Sequence, residues 1–179
     1  EELKTYMDKW DGQRFIDAMG LSYDKDVLEI GVGTGRLAIQ VVPFCSHFTG
    51  IDISPKTANK AKSNLSQFQN VTILCDDFLK VDFEDKQFDV IYSSLTFMHI
   101  SDKLSAIKKA SKHLKTDGVF VLSIDKNQNE AIDYGTRTIT VYPDTPENIQ
   151  MYAEAIGLIV ENIFESELAN VLVIKNKVC

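Results

Sequence analysis

In the first fifth of the 179-residue chain, Asp26-Val27-Leu28-Glu29-Ile30 gives way to Gly31-Val32-Gly33-Thr34-Gly35-Arg36. An apolar run of this length, bounded by turn-forming residues, reads as a strand rather than a helix. Three glycines at alternate positions between a strand and a helix permit a tight turn. They also let a ligand approach the backbone where any Cβ would collide. A dinucleotide loop takes Gly-x-Gly-x-x-Gly, and counting from Gly31 its last place falls on Arg36, which is neither Gly nor Ala. A phosphate-cradling P-loop needs Gly-Lys-Ser/Thr at its end, and none follows.

The remaining elements alternate. An amphipathic segment from about Leu3 to Met19 precedes the first strand, and Leu37 to Val42 suits the helix after it. Phe48 to Ile53 reads as the second strand. Ser54 then offers a capping oxygen, with Pro55 at the first position of a helix reaching about Gln67. Val71 to Cys75 and Phe88 to Tyr92 are the third and fourth strands, apolar as strands covered on two faces should be. Ser101 is read as the cap of a helix that buries Leu104, Ile107, Ser111 and Leu114, with Lys103, Lys108, Lys109, Lys112 and Lys115 as its solvated face. Asp117-Gly118 turns into a fifth strand, Val119 to Ile124. Thr145-Pro146-Glu147 opens a last helix that Gly157 closes, before a hairpin of Leu158 to Phe164 and Val171 to Lys175. This order predicts an α/β fold: a doubly wound, mainly parallel sheet with an antiparallel terminal hairpin and right-handed crossovers. Its ligand belongs outside the carboxyl ends of the first strands.

Composition bounds the partners. With 44% hydrophobic and 25% charged residues the chain has the make-up of one globular domain. Nineteen basic against twenty-six acidic residues leave a net charge of −7, a field that repels nucleic acid. The longest stretch without a charge, Leu37 to Ile51, is broken by Gln40, Pro43, Ser46, His47 and Thr49, so no membrane span is expected. Glu1-Glu2-Leu3 lacks the profile of a secretory signal, and a start without Met suggests that native residues precede it. Cys45, Cys75 and Cys179 are odd in number and far apart, with no His at metal-ligand spacing. No metal site and a cytoplasmic location are the expectation. The sequence sets no oligomeric state.

Seventeen residues beyond Gly35, Asp52 ends the second strand, where a carboxylate can accept both hydroxyls of a ribose. Asp76 and Asp77 follow the third strand in the same way, beside Phe78. With Glu-x-Gly-x-Gly-x-Gly at residues 29 to 35, Gly-Ile-Asp-Ile-Ser at 50 to 54, Cys-Asp-Asp-Phe at 75 to 78 and the closing hairpin, the chain resembles the class I S-adenosylmethionine-dependent methyltransferases. The resemblance implies a Rossmann-like sheet of seven strands, S-adenosyl-L-methionine as cofactor and S-adenosyl-L-homocysteine as product. It implies that Gly31, Val32, Gly33 and Gly35 line the methionine part, with Glu29 near the ammonium group. Asp52 would hold the ribose, Ile53 would pack on adenine, and Asp76 or Asp77 would meet the adenine amino group near the Phe78 backbone. Ser93 would contribute backbone near the methionine end. Arg14 or Arg36 is a candidate partner for the cofactor carboxylate. Tyr6 and Trp10 either close over the cofactor or anchor the N-terminal helix.

Methyl transfer from a sulfonium needs mainly alignment of donor and acceptor. His99, just beyond the fourth strand, is the candidate catalytic residue, with a packing role as the other reading. Ser93-Ser94-Leu95-Thr96 is not the Asn/Asp-Pro-Pro-Tyr of amino-nitrogen methylases, and neither Cys45 nor Cys75 has the context of a nucleophile. Asp125 and Asn127 make a thin case for a metal. Residues 1–179 are read as one domain: an N-terminal cap over 1–22, a cofactor-binding half over 23–125, and a substrate-side half with the hairpin over 126–179. The cap and Lys126 to Tyr142 would form the pocket of a small-molecule acceptor, with Tyr134, Arg137 and Tyr142 for recognition and Thr136 to Val141 as a plain strand. A non-catalytic cofactor-binding protein and a nicotinamide oxidoreductase are the alternatives.

Overall fold

The computed structural model describes Tyr6 and residues 9–133 and 135–177. Their order is α1 (Gly12–Asp17), β1 (Asp26–Ile30), α2 (Ala38–Val41), β2 (His47–Asp52), α3 (Pro55–Asn64), β3 (Val71–Cys75), β4 (Phe88–Ser94), α4 (Lys103–Lys112), β5 (Leu114–Asp125), β6 (Ala131–Asp133), β7 (Thr138–Thr140), α5 (Pro146–Ala155), β8 (Leu158–Glu165) and β9 (Ala169–Asn176). The main sheet runs β3-β2-β1-β4-β5-β9-β8. Its first five strands are parallel, and β9 is antiparallel to both β5 and β8. The α/β sheet with a terminal antiparallel hairpin is therefore as the alternation predicts. The reversal of strand order falls between β1 and β4, which opens a crevice at their carboxyl ends.

Side chains alternate across the strands into two cores. Val27, Phe48, Tyr92 and Val121 meet Phe15, Ala38, Ala58 and Ala61 of α1 to α3 on one face. Leu28, Ile51, Ile91 and Phe120 meet Ala106, Ile107, Ala110, Ile149 and Ala153 of α4 and α5 on the other. Small residues on the helices let them lie close to a sheet of bulky β-branched and aromatic residues. Ser54 and Thr145 cap α3 and α5 through their hydroxyls, each with Pro at the first turn. Gly157, at φ +82°, ends α5.

Several local readings are corrected. The cap of α4 is Asp102, whose Oδ1 accepts from the Ser105 amide at 3.0 Å, rather than Ser101. Its buried face is Lys103, Ala106, Ile107 and Ala110, so Leu104 is 41% exposed and Leu114 already begins β5. The lysine run is therefore not one solvated face. Lys103 is buried, donating to the Tyr142 carbonyl at 2.6 Å and pairing with Asp144 at 3.1 Å. Helix α3 stops at Asn64, and the strand read over Thr136 to Val141 shrinks to β7, paired with β6. Within the N-terminal segment, residues 1–5, 7 and 8 lie outside the described residues, as do Tyr134 and Cys179. No helix of the described residues is long and apolar enough to cross a membrane.

Candidate active site

A cleft of about 680 Å³ opens at the carboxyl ends of β1 to β4. Its floor is the glycine turn. Gly31 has φ +79°, and a Cβ there would lie 1.9 Å from Thr96 Oγ1, so this position excludes every side chain twice over. The Gly31 and Val32 amides donate to the Ile51 carbonyl at 2.8 and 3.0 Å, joining the turn to the end of β2. Gly33, at φ +56°, has open space around its missing Cβ and donates its amide to Asp52 Oδ2 at 2.9 Å. Gly35 packs behind the turn against Leu65 and does not border the cleft.

Asp52 Oδ1 accepts from the Ser54 amide at 2.9 Å. Each of its oxygens thus holds one backbone donor and keeps a lone pair for a ligand hydroxyl, which suits a vicinal diol. Ile53 follows, 70% exposed on the cleft wall. Asp76 and Asp77 border the cleft with part of their capacity used locally. Asp76 Oδ1 accepts from the Asp77 amide at 2.7 Å, and Asp77 Oδ1 accepts from the Leu79 amide at 2.9 Å. Phe78 also borders the cleft, yet its ring packs against Phe83 in the core, 6.2 Å between centroids.

Glu29 is only 3% exposed, and Tyr92 Oη donates to its Oε2 at 2.8 Å. Burial pushes this carboxyl up to about 8. Tyr92 and Arg36 oppose that shift, and Asp11 and Asp52 add to it. The Tyr92 phenol is driven well above its ordinary value, first by burial and then by the Glu29 charge. Near neutral pH this buried group is therefore held largely as the protonated acid, and a cation arriving in the cleft would favour its ionised form.

Ser93 and Ser94 divide their work. Ser93 is fully buried, and its Oγ donates to the Ile30 carbonyl at 2.9 Å, tying β4 to β1. Ser94 borders the cleft and donates to Asp11 Oδ2 at 2.9 Å. Asp11 is 4% exposed and also receives a two-pronged pairing from Arg36, with Nη1 at 3.0 Å from Oδ1 and Nη2 on Oδ2. Arg36 borders the cleft, whereas the Arg14 guanidinium lies 4.1 Å from the Phe164 ring centroid and is not part of the wall. Trp10 meets Tyr6 edge-on, and its carbonyl accepts from Ser123 and Ser166, which joins this segment to the end of β5. Asp11, Ser94 and Tyr92 escaped the sequence reading. An Asp-Gly pair at the start of an amphipathic helix was the signal for Asp11.

His99 stands exposed on the cleft rim. Partial burial lowers its pKa, with the Asp52 charge pulling the other way. Between Ser94 and Thr96, Leu95 takes φ +57° and borders both the cleft and a second cavity of about 20 Å³. That cavity lies against β5 and the arm over 127–144, with Lys103, Tyr142 and Asp144 in its wall. Arg137 is exposed on the turn between β6 and β7 and does not border it. Asp125 accepts from the Asn127 amide within a turn, and no group of three His, Cys, Asp or Glu able to hold a metal occurs among the described residues. Cys45 is buried and its thiol is pushed up to about 11, the opposite of an activated nucleophile.

A mainly parallel sheet with a two-oxygen acceptor after β2, a glycine turn after β1 and an antiparallel last strand has the shape and donor set that suit a nucleoside in this cleft. Residues 28–122 match the family model described as "Methyltransferase domain". The chain belongs to the class I S-adenosylmethionine-dependent methyltransferases. Demethylmenaquinone methyltransferase of Tropheryma whipplei is 31% identical over 104 residues, 58% of this chain and 43% of that protein. An uncharacterized methyltransferase of Anoxybacillus flavithermus is 33% identical over 123 residues, 67% and 57% of the two. The chain thus spans only part of the length of these relatives. A solved structure described as a putative S-adenosylmethionine-dependent methyltransferase from Listeria monocytogenes superposes with a TM-score of 0.81 at 16% identity, covering 92% of this chain and 96% of its own. The residues present fit that cofactor. Glu29 is a buried carboxyl that a cation in the cleft would ionise, Asp52 suits a diol and Ile53 a flat apolar face, and no lysine stands in the turn for a phosphate.

Proposed function

We propose that the chain transfers a methyl group from S-adenosyl-L-methionine to a small-molecule acceptor, releasing S-adenosyl-L-homocysteine. The observation that carries this reading is the pairing, within one cleft, of Asp52 as a two-oxygen acceptor with Glu29 as a carboxyl group buried in the wall and hydrogen-bonded to Tyr92. Asp52 holds the ribose hydroxyls, Ile53 covers one face of the adenine, and Asp76 or Asp77 accepts from its amino group near the Phe78 backbone. Gly31, Val32, Gly33 and Gly35 shape the turn along the methionine part, with Glu29 on its ammonium group. The β4 end, Ser93 and Ser94, closes that side. Bound cofactor supplies a methyl already activated on a sulfonium, to be displaced in line. The protein's own work is to orient, to exclude water and to manage a proton.

His99 is assigned that proton. Its lowered pKa keeps the imidazole neutral at pH 7, the form that accepts a proton from a hydroxyl or ammonium acceptor. The acidic charge and the small cap over the β5 end support a small molecule over nucleic acid, and the Tropheryma whipplei relative is named for a quinone-type acceptor. Widely spaced thiols suit the reducing cytoplasm. The test is release of S-adenosyl-L-homocysteine against a panel of phenols, amines and carboxylic acids. Turnover with one class establishes the activity. Cofactor binding without turnover on any class favours the non-catalytic alternative. Replacing His99 by Gln should remove the acidic limb of the kcat/KM profile for a protonated acceptor; an unchanged limb would return His99 to a packing role.

A further inference from the structure

The cleft and the second cavity follow one another along the sheet. Loops after β3, β2, β1 and β4 line the cleft in that spatial order, and the cavity continues from the β4 loop to the end of β5 and the arm over 127–144. Among the described residues the two walls share one member, Leu95. It is also one of two non-glycine described residues with a left-handed backbone; the other, Glu84, sits in an exposed turn. A branched side chain holds that conformation only where its surroundings impose it, and such positions concentrate at functional sites.

Here the neighbours on both sides impose it. Ser93 is bonded to Ile30 and Ser94 to Asp11, while the Thr96 side chain fills the notch above Gly31 and its carbonyl accepts from the His99 amide at 2.9 Å. Phe97, 1% exposed, anchors the next residue in the core. On the far side, the Tyr142 amide donates to the Met98 carbonyl at 2.7 Å, and Lys103 ties Tyr142 and Asp144 to α4. At about 20 Å³ the cavity beyond Leu95 has room for about one water.

Resting on the methyltransferase reading above, we infer that Leu95 is a specificity-determining residue: its side chain is the partition between the cofactor cleft and the small cavity against β5 and the arm, and it sets how large a group on the donor sulfur the cleft accepts. Truncating it joins the two spaces without touching Asp52, Glu29 or the glycine turn.

The test is calorimetric binding of four probes: S-adenosyl-L-homocysteine, S-adenosyl-L-methionine, and analogues of the latter with S-ethyl or S-benzyl in place of S-methyl. They differ only in what the sulfur carries. Wild-type protein should bind the benzyl analogue at least about 10-fold more weakly than the methyl compound, the scale on which an apolar pocket rejects extra carbons. Leu95→Ala should erase most of that ratio while moving the homocysteine affinity less than about 3-fold. Leu95→Gly, which accepts the left-handed backbone without strain, should do the same and guards against misfolding of the Ala variant. A size ratio unchanged in both variants, or no size discrimination by the wild type, overturns the partition. Failure of the wild type to bind S-adenosyl-L-homocysteine overturns instead the reading on which it rests.

Discussion

At Gly31 the chain meets two demands that no other residue satisfies, a φ of +79° and the Thr96 side chain 1.9 Å from where a Cβ would be. Gly31→Ala should therefore cost about 1–3 kcal/mol in unfolding free energy and abolish cofactor binding, both measurable on one sample by denaturation and calorimetry. Glu29 carries the second prediction. Its carboxyl titrates at about 8 when folded against 4.5 ordinarily, so between these values the folded chain keeps a proton that the unfolded chain releases. Stability contributed by the buried neutral acid is complete below pH 4.5 and is lost as pH rises through about 8. Glu29→Gln removes that loss. Thermal unfolding should show the Gln variant gaining on the wild type steadily over this window; a constant difference would contradict the burial argument. The glycines and Asp52 were legible because a strand, a turn and a carboxylate seventeen residues on are local features. Asp11 with Arg36, 25 residues apart, and Tyr92 with Glu29, 63 apart, meet only through the fold, and no spacing rule reaches them.

Among the elements, α4 illustrates a helix read from the wrong face. Its sheet-facing stripe is Ala106, Ile107 and Ala110, too weakly apolar to outweigh Leu104 in a sequence pattern, and the stripe is completed by a lysine. Lys103 is buried because the arm before α5 brings Asp144 and the Tyr142 carbonyl to it. Lys103→Ala leaves Asp144 buried without its cation and should cost about 3–5 kcal/mol, whereas Lys103→Met with Asp144→Leu should recover most of that loss. Denaturant midpoints of the three proteins check this. Equal losses in the single and double variants would show that the arm does not depend on the pair. Of the β6–β7 ribbon, β7 was legible inside the longer strand read over Thr136 to Val141, whereas β6 stayed hidden for a related reason: a three-residue strand with its outer positions exposed lacks the apolar signal that marks β1 to β5. The long parallel strands and the caps of α3 and α5 were readable because burial on both faces and Ser/Thr-Pro starts leave strong local marks.

Taken whole, the molecule opens its cleft where the strand order reverses, between β1 and β4, and that was legible once the alternation was seen. How the arm over 127–144 and the N-terminal segment attach was not, because they are tied down by scattered long-range bonds, among them Tyr142 to Met98, Lys103 to Asp144 and Trp10 to Ser123 and Ser166, rather than by a sequence pattern. The central claim concerns the cleft, and calorimetric titration with S-adenosyl-L-methionine and S-adenosyl-L-homocysteine tests it most directly, using wild type and Asp52→Asn. The Asn side chain keeps the shape but gives up one acceptor oxygen. Both compounds should bind the wild type in the micromolar range, and the substitution should weaken each by about 1–3 kcal/mol, with a lower melting temperature because the Gly33 or Ser54 amide loses its acceptor. No binding of either compound, or binding that Asp52→Asn leaves unaltered, would contradict the assignment of this cleft.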